Sequence, residues 1–215
     1  MPKLLLHSCC APCSGFLARE LSRDFKSQAV KIRGAYFDET DLSRLSGRRA
    51  GCEASAVRPT GFEVAIYYQN SNIWPEEEYQ RRRDEAKKFF TREGFEFFED
   101  DYNHSDWLNF IKGLESEPER GKRCEECYRY RLARVARFAK SRGFDFFAST
   151  LSISPHKDAE LINRLGEEIA KEKGVEFLSG DWKAGGGFDR ASALSRQEGF
   201  YRQNYCGCEF SSGTK

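Results

Sequence analysis

Seven of the eight cysteines in this chain fall into three tight groups: Cys9, Cys10 and Cys13; Cys124 and Cys127; Cys206 and Cys208. Only Cys52 stands apart. The groups lie near the start, the middle and the end of the chain, as expected of metal ligands gathered from distant segments. A fold that uses them together must return three remote loops to one edge. A disulfide framework is the competing use, and the N-terminus argues against it. The apolar run in MPKLLLHSCC is too short for a secretory signal, and no apolar stretch approaches the length of a membrane span. The chain is therefore expected to be cytoplasmic, with no membrane partner, in a compartment where thiols are kept reduced.

At 215 residues the chain is expected to form a single domain, 1–215, with room for an insertion. The apolar fraction of 39 % and the 18 glycines are those of an ordinary globular protein. Thirty-five basic and 34 acidic side chains leave a net charge of +1. That balance excludes a highly charged disordered tail and a globally basic nucleic-acid coat.

The hydrophobic pattern predicts strands and helices in alternation. Lys3–His7 is a short apolar strand ending at the first cysteines, and Phe62–Tyr68 alternates as a half-buried strand. Pro75 opens a helix with Glu76, Glu77 and Glu78 in its first turn, and Gly94 ends it. Phe95–Phe98 is a further apolar segment, and Trp107, Leu108, Ile111 and Leu114 suggest a short helix. Cys124–Arg142 and Asp158–Lys173 read as helices, and Phe144–Ala148 and Val175–Leu178 as strands. This order predicts an α/β fold, a Rossmann-like parallel sheet with helices on both faces. Ligands in such sheets bind beyond the carboxyl ends of the strands, which is where Cys9, Cys10 and Cys13 fall. Residues 24–60, polar and rich in Arg and Gly, break the rhythm and are expected to be an insertion.

The chemistry follows from the cysteine groups. Adjacent Cys9 and Cys10 cannot easily pair with each other, but they can share a polynuclear cluster or serve neighbouring sites. Backbone N–H groups at the helix start after Pro12 would stabilise thiolates there. Cys124-Glu125-Glu126-Cys127 is a metal clip or a redox dithiol. Together Cys9, Cys10, Cys124 and Cys127 supply the four thiolates that a structural zinc or an iron–sulfur cluster needs. Their place at the functional edge, with spare thiols nearby, favours the redox cluster. Cys206-Gly207-Cys208 can close a small strained disulfide suited to electron relay, or act as a further ligand pair. Cys13 could face a substrate, hold a second mononuclear metal, or simply be packed. Between 120 and 142, nine basic against two acidic side chains leave +7, with Tyr128 and Tyr130 interleaved. Such clustering suits a phosphate backbone with stacked bases, or a solvated helix face. The loop Ser152–Asp158 offers hydroxyls and N–H groups to an anion, and His156 could donate a proton.

Five motifs together carry a resemblance along nearly the whole chain outside 24–60. They are HSCCAPCS at 7–14, the segment 70–79 with its PEEEY ending, GKRCEECYRYRL at 121–132, TLSISPHK at 150–157 and YRQNYCGC at 201–208. In these the chain resembles the QueH family of epoxyqueuosine reductases. The resemblance implies an enzyme that removes the epoxide oxygen of epoxyqueuosine at the tRNA wobble position, using a [4Fe-4S] cluster and no cobalamin. It implies that Cys9, Cys10, Cys124 and Cys127 hold the cluster and that Cys206 and Cys208 form a redox-active disulfide. Cys13 is then a candidate for a second metal or an open cluster edge, and His156 a candidate proton donor. Arg123, Arg129, Arg131 and Lys157 are candidate contacts for the anticodon loop. An electron donor, not identified by the sequence, is a required partner. The implied fold is similar to the nucleotide α-hydrolase-like (HUP) sheet. The glycine-rich pyrophosphate loop of that superfamily is missing, and Pro12, with no N–H, stands where phosphate would be cradled; no use of ATP is therefore expected. A zinc-bound RNA-binding module is the remaining alternative, and it leaves Cys13 and the C-terminal pair without a role.

Overall fold

A computed structural model describes residues 1–22 and 61–211. The expected insertion at 24–60, and Cys52 within it, lie outside the described residues. Five strands form one parallel sheet: β1 (Lys3–Ser8), β2 (Glu63–Tyr68), β3 (Glu96–Glu99), β4 (Phe146–Ser149) and β5 (Glu176–Phe177). Their spatial order is β3-β2-β1-β4-β5. Among the described residues six helices accompany it: α1 (Ala11–Leu21), α2 (Glu76–Arg92), α3 (His104–Phe110), α4 (Lys122–Ser141), α5 (Ala159–Lys173) and α6 (Gly187–Glu198). The Rossmann-like α/β reading holds.

The centre of the sheet is set by three consecutive leucines. Leu4, Leu5 and Leu6 are all completely buried, which suits only a strand covered on both faces. Leu4 and Leu6 join Ile66, Tyr68 and Ala148 in a core closed by α1, α2 and α6. Leu5 points the other way, to Tyr67, Phe147 and the inner faces of α4 and α5. Each such side chain contributes about 1.5–3 kcal/mol by burial.

Helix boundaries follow local chemistry. Asp158 caps α5 by accepting from the Glu160 and Leu161 N–H groups, at 2.9 and 3.2 Å, and Gly174 closes it in the left-handed conformation. Pro75 sits one position earlier than expected, as the cap of α2 rather than its first residue. The sequence reading assigns no element between 179 and 205, yet α6 lies there. Its apolar stripe of Ala191 and Leu194 packs on α1, and the preceding Gly185-Gly186-Gly187 disguises its start as a loop.

The strand order reverses direction between β1 and β4. At such a switch point the loops leaving adjacent strands turn to opposite faces and open a crevice. The first cysteine group follows β1 directly, and the Thr150–Ile153 turn follows β4.

Candidate metal centre

The first cysteines are fixed by the junction of β1 with α1. Cys10 is the N-cap of α1, Pro12 lies in its first turn, and Cys13 is its third residue. N-cap and N3 side chains lie side by side, so Cys13 returns toward Cys10. Ser14 Oγ accepts from Ser8 Oγ at 2.8 Å and donates to the Cys10 carbonyl at 2.8 Å. Thr150 Oγ1 accepts from the Cys9 N–H at 3.4 Å and lies 3.5 Å from Cys9 Sγ. Gln203, from the C-terminal segment, reaches Cys10 Sγ with its side-chain amide at 3.3 Å.

As a result the sulfurs of Cys9, Cys10 and Cys13 all lie within 4.8 Å of one another, with Cys9 and Cys10 at 3.8 Å. Hydrogen bonds from Cys10 and Cys13 hold the Cys9 thiol well below its ordinary pKa. Cys13 works to lower Cys10, but Cys9 and burial outweigh it and push Cys10 up to about 12. Cys13 is raised by its bonds to Cys10 and Cys9. Three sulfurs crowded this closely disfavour ionising together. They can all ionise only if cations join them.

The second group opens α4. Cys124 is half-buried, with the Arg120 backbone N–H 3.2 Å from its sulfur. Cys127 is buried one turn on, in a small core with Trp107, Ile111, Tyr130 and Cys208. Burial pushes its thiol up to about 12. The buried indole N–H of Trp107 lacks a well-aligned hydrogen-bond partner and sits beside that sulfur.

The third group rides on an irregular C-terminal segment docked over α2. Arg82 donates to the Cys206 carbonyl at 3.3 Å, Trp74 N–H to the Gly207 carbonyl at 2.8 Å, and Tyr205 OH to the Trp74 carbonyl at 2.6 Å. His104 bonds the Ser71 carbonyl through Nδ1 at 2.8 Å and Glu209 through Nε2 at 2.9 Å. Its ring stacks between Trp74 and Trp107.

One cleft of about 380 Å³ unites the three segments, with Cys9, Cys13, Cys124 and Cys206 in its wall. Cys10, Cys127 and Cys208 stand behind them. All seven described cysteines are free thiols. Among the described residues the only metal-sized group is Cys9, Cys10 and Cys13; Cys124 lines the same cleft.

Arg82, Arg120, Arg131 and Lys157 line the same cleft. Arg131 is 2 % exposed, bonds Asn70 Oδ1 and has no carboxylate among its described hydrogen-bond partners. Its charge, after burial, helps hold neighbouring His7 neutral, with a pKa down to about 3. Burial works to lower Lys157, but the charges of Cys206, Cys9, Tyr128 and Cys13 raise it overall. His156 is exposed at the cleft mouth, 3.4 Å from Arg120 through Nδ1.

Several other basic residues of α4 are engaged within the fold, whereas Lys122, Arg137 and Lys140 are exposed. Arg123 is 2 % exposed, donates to the Glu115 and Glu117 carbonyls and stacks on Phe210. Arg129 pairs with Glu126 and Glu168, and Arg134 with Asp100 and Asp106. Asn70, Asn72 and Gln203, lining the cleft, fall within the 70–79 and 201–208 motifs but were given no role from sequence, and Arg82 lies outside those motifs; their nearness to the cysteines in space reveals them.

Known proteins agree with this geometry. A family model described as epoxyqueuosine reductase QueH matches residues 49–214. Curated proteins named epoxyqueuosine reductase QueH are similar along almost all of the chain. That of Histophilus somni is 36 % identical over 97 % of this chain and 72 % of its own length. That of Dehalococcoides mccartyi is 30 % identical over 98 % of this chain and 92 % of its own length. That of Thermotoga maritima is 34 % identical over 74 % of this chain and 86 % of its own length. A family model that covers most of the chain, together with relatives similar along nearly all of it, makes the chain a member of the epoxyqueuosine reductase QueH family.

Proposed function

We propose that this protein reduces epoxyqueuosine to queuosine in tRNA. Queuosine is a 7-deazaguanosine whose methylamine arm ends in a cyclopentenediol; epoxyqueuosine carries an epoxide in place of the ring alkene. The observation that carries the reading is the convergence of three cysteine segments and several cations, the buried Arg131 and the half-buried Lys157 among them, on one cleft at the sheet's switch point. Among the described residues no helix is long and apolar enough to cross a membrane.

The donor set fits a thiolate-bound metal group. Sulfurs crowded within 4.8 Å need cations to ionise together, and Arg131 offsets the remaining negative charge from one side, Lys157 from the other. We assign Cys9, Cys10, Cys124 and Cys127 to a [4Fe-4S] cluster, with Cys13 left for a second metal or an open cluster edge. When bound, such a cluster supplies electrons singly.

Cys206 and Cys208 supply what a single-electron carrier lacks, a store for an electron pair. Closing their disulfide gives up two electrons and two protons. Opening the epoxide to the alkene consumes both pairs and releases the oxygen as water, so the exchange balances. An external donor then reopens the disulfide. Lys157 and Arg131 stabilise negative charge as the C–O bond breaks, and His156 at the mouth protonates the leaving oxygen. Arg120 and Lys157 at the rim, and Arg129 beyond it, meet the anticodon-loop phosphates, whereas Arg123 and Arg131 act from within the fold.

The test is anaerobic purification, an iron and zinc count, and incubation with epoxyqueuosine-containing tRNA and a chemical reductant, read by nucleoside mass spectrometry. Iron-loaded protein and loss of one oxygen from the nucleoside are expected. Colourless protein that holds zinc after cluster reconstitution and leaves the nucleoside intact would overturn the proposal.

A further inference from the structure

A second chamber, of about 190 Å³, opens beside the thiol cleft. It is smaller than the roughly 300–1,000 Å³ that houses a drug-sized ligand, and so has the size for one ring system. One wall is a single face of α6: Phe188, Ala191, Ser192 and Ser195 recur at helical spacing. The facing wall is the turn Ile153–His156, and Pro12 and Cys13 form the floor. Cys13, Ser154, His156 and Gln203 belong to both chambers, so the two are neighbours through one shared partition.

The contents of these walls specify a shape. Phe188 is 37 % exposed, an aromatic ring held at the mouth. Ile153 and Pro155 add apolar surface to the same lining. Together they make a slot for a flat ring, in the manner of stacking platforms for splayed nucleotides. Inside the slot is an unpaired polar group. Ser195 is 2 % exposed and its hydroxyl has no hydrogen-bond partner. An orphaned buried hydroxyl is costly, and it lines the chamber, able to meet the polar edge of a base. Arg202, exposed at the rim, suits a phosphate.

We propose that this chamber is the nucleobase subsite. It holds the deazaguanine plane against Phe188, with Ser195 bonding its edge, while the methylamine arm crosses the partition and delivers the epoxide ring to the thiol cleft. The inference rests on the reductase reading and adds to it the place of the base. It also explains why α6 and the Ile153–His156 turn flank the thiol cleft without contributing a thiol to it.

The test measures binding, independent of turnover. Affinities of queuosine nucleoside and of queuosine-containing tRNA are compared for the wild type, Phe188→Ala and Ser195→Ala, with iron content as the control on folding. Phe188 is exposed, so its truncation leaves the core intact. Phe188→Ala is expected to weaken both ligands about tenfold or more, the size of one base stack. Ser195→Ala is expected to weaken both by about two- to tenfold. Loss of affinity for tRNA alone would overturn the assignment, placing a neighbouring nucleotide in the chamber. Unchanged affinity for both, or a wild type that converts epoxyqueuosine tRNA without binding the nucleoside, would overturn it as well. A wild type that fails to convert the tRNA under reducing conditions instead refutes the reductase reading, which a parallel turnover assay reports separately.

Discussion

The glycine between the last two cysteines is a conformational requirement, and replacing it should release the redox pair. Gly207 has φ +120°, in the region L residues rarely adopt, so Gly207→Ala costs about 1–3 kcal/mol in backbone strain. Its new Cβ would also stand 3.0 Å from both Ile73 Cγ1 and an Arg82 guanidinium nitrogen. Neither neighbour can yield. Ile73 is 1 % exposed, and Arg82 is held by Glu78 at 2.7 Å. Overpacking of this kind costs a further 1–3 kcal/mol or so, for a combined loss of about 2–6 kcal/mol. The segment has no regular structure and should detach before the sheet melts. Its open population then rises by about 30-fold at the least and by about 10,000-fold or more at the upper end. The assay is the labelling rate of Cys208, which is 7 % exposed, by a thiol reagent on metal-stripped protein. Gly94→Ala is the control: φ is +81° there, but nothing lies within 4 Å of the added Cβ. That variant should lower global stability by about 1 kcal/mol and leave Cys208 labelling unchanged. A Gly207→Ala protein that labels Cys208 at the wild-type rate would refute the reasoning.

Three further outcomes are expected. Gly166→Ala would drive a methyl group into the Phe177 ring between α5 and β5; an unfolding free energy lowered by about 1–3 kcal/mol in urea denaturation is expected, with partial recovery in Gly166→Ala/Phe177→Leu. His104→Ala removes the bonds to Ser71 and Glu209 and the ring between two tryptophans, so hydrogen exchange should quicken at 205–210 while the β1 amides stay protected. For tRNA binding, three rim cations predict a salt slope of about −2 to −3; a surface using all nine basic residues between 120 and 142 would give about −6 to −8. A slope near the second value would mean that the α4 arginines leave their internal partners.

Much of the fold was legible because the informative residues act locally. Three leucines in a row could only be a doubly buried strand, and Asp158 and Gly174 mark the ends of α5 by rules that involve neighbours alone. The convergence of the cysteine groups was legible because it follows from topology, once β1 is known to end at Cys9. What escaped is decided at a distance. Arg123 and Arg131 look the same in sequence whether they face solvent or turn inward, and only the carbonyls of residues 115 and 117, and Asn70, reveal that they turn inward. The first turn of α1 brings Cys13 to Cys10, a relation visible only once Cys10 is recognised as a cap. The α6 helix was hidden by three glycines, although Phe188, Ala191 and Leu194 keep a helical interval.

The docking of the C-terminal segment separates two kinds of integrity in this molecule. The sheet is secured by leucines that no solvent reaches. The segment bearing Cys206 and Cys208 is secured by a few individual contacts: the side chains of Arg82, Tyr205 and His104 and the backbone of Trp74. Loss of a few kcal/mol there would leave a folded, soluble-looking protein with its electron store adrift. Damage to the chemistry can thus arise without any change in melting temperature, and a search for weakened variants by heat alone would pass over the residues that matter most to turnover.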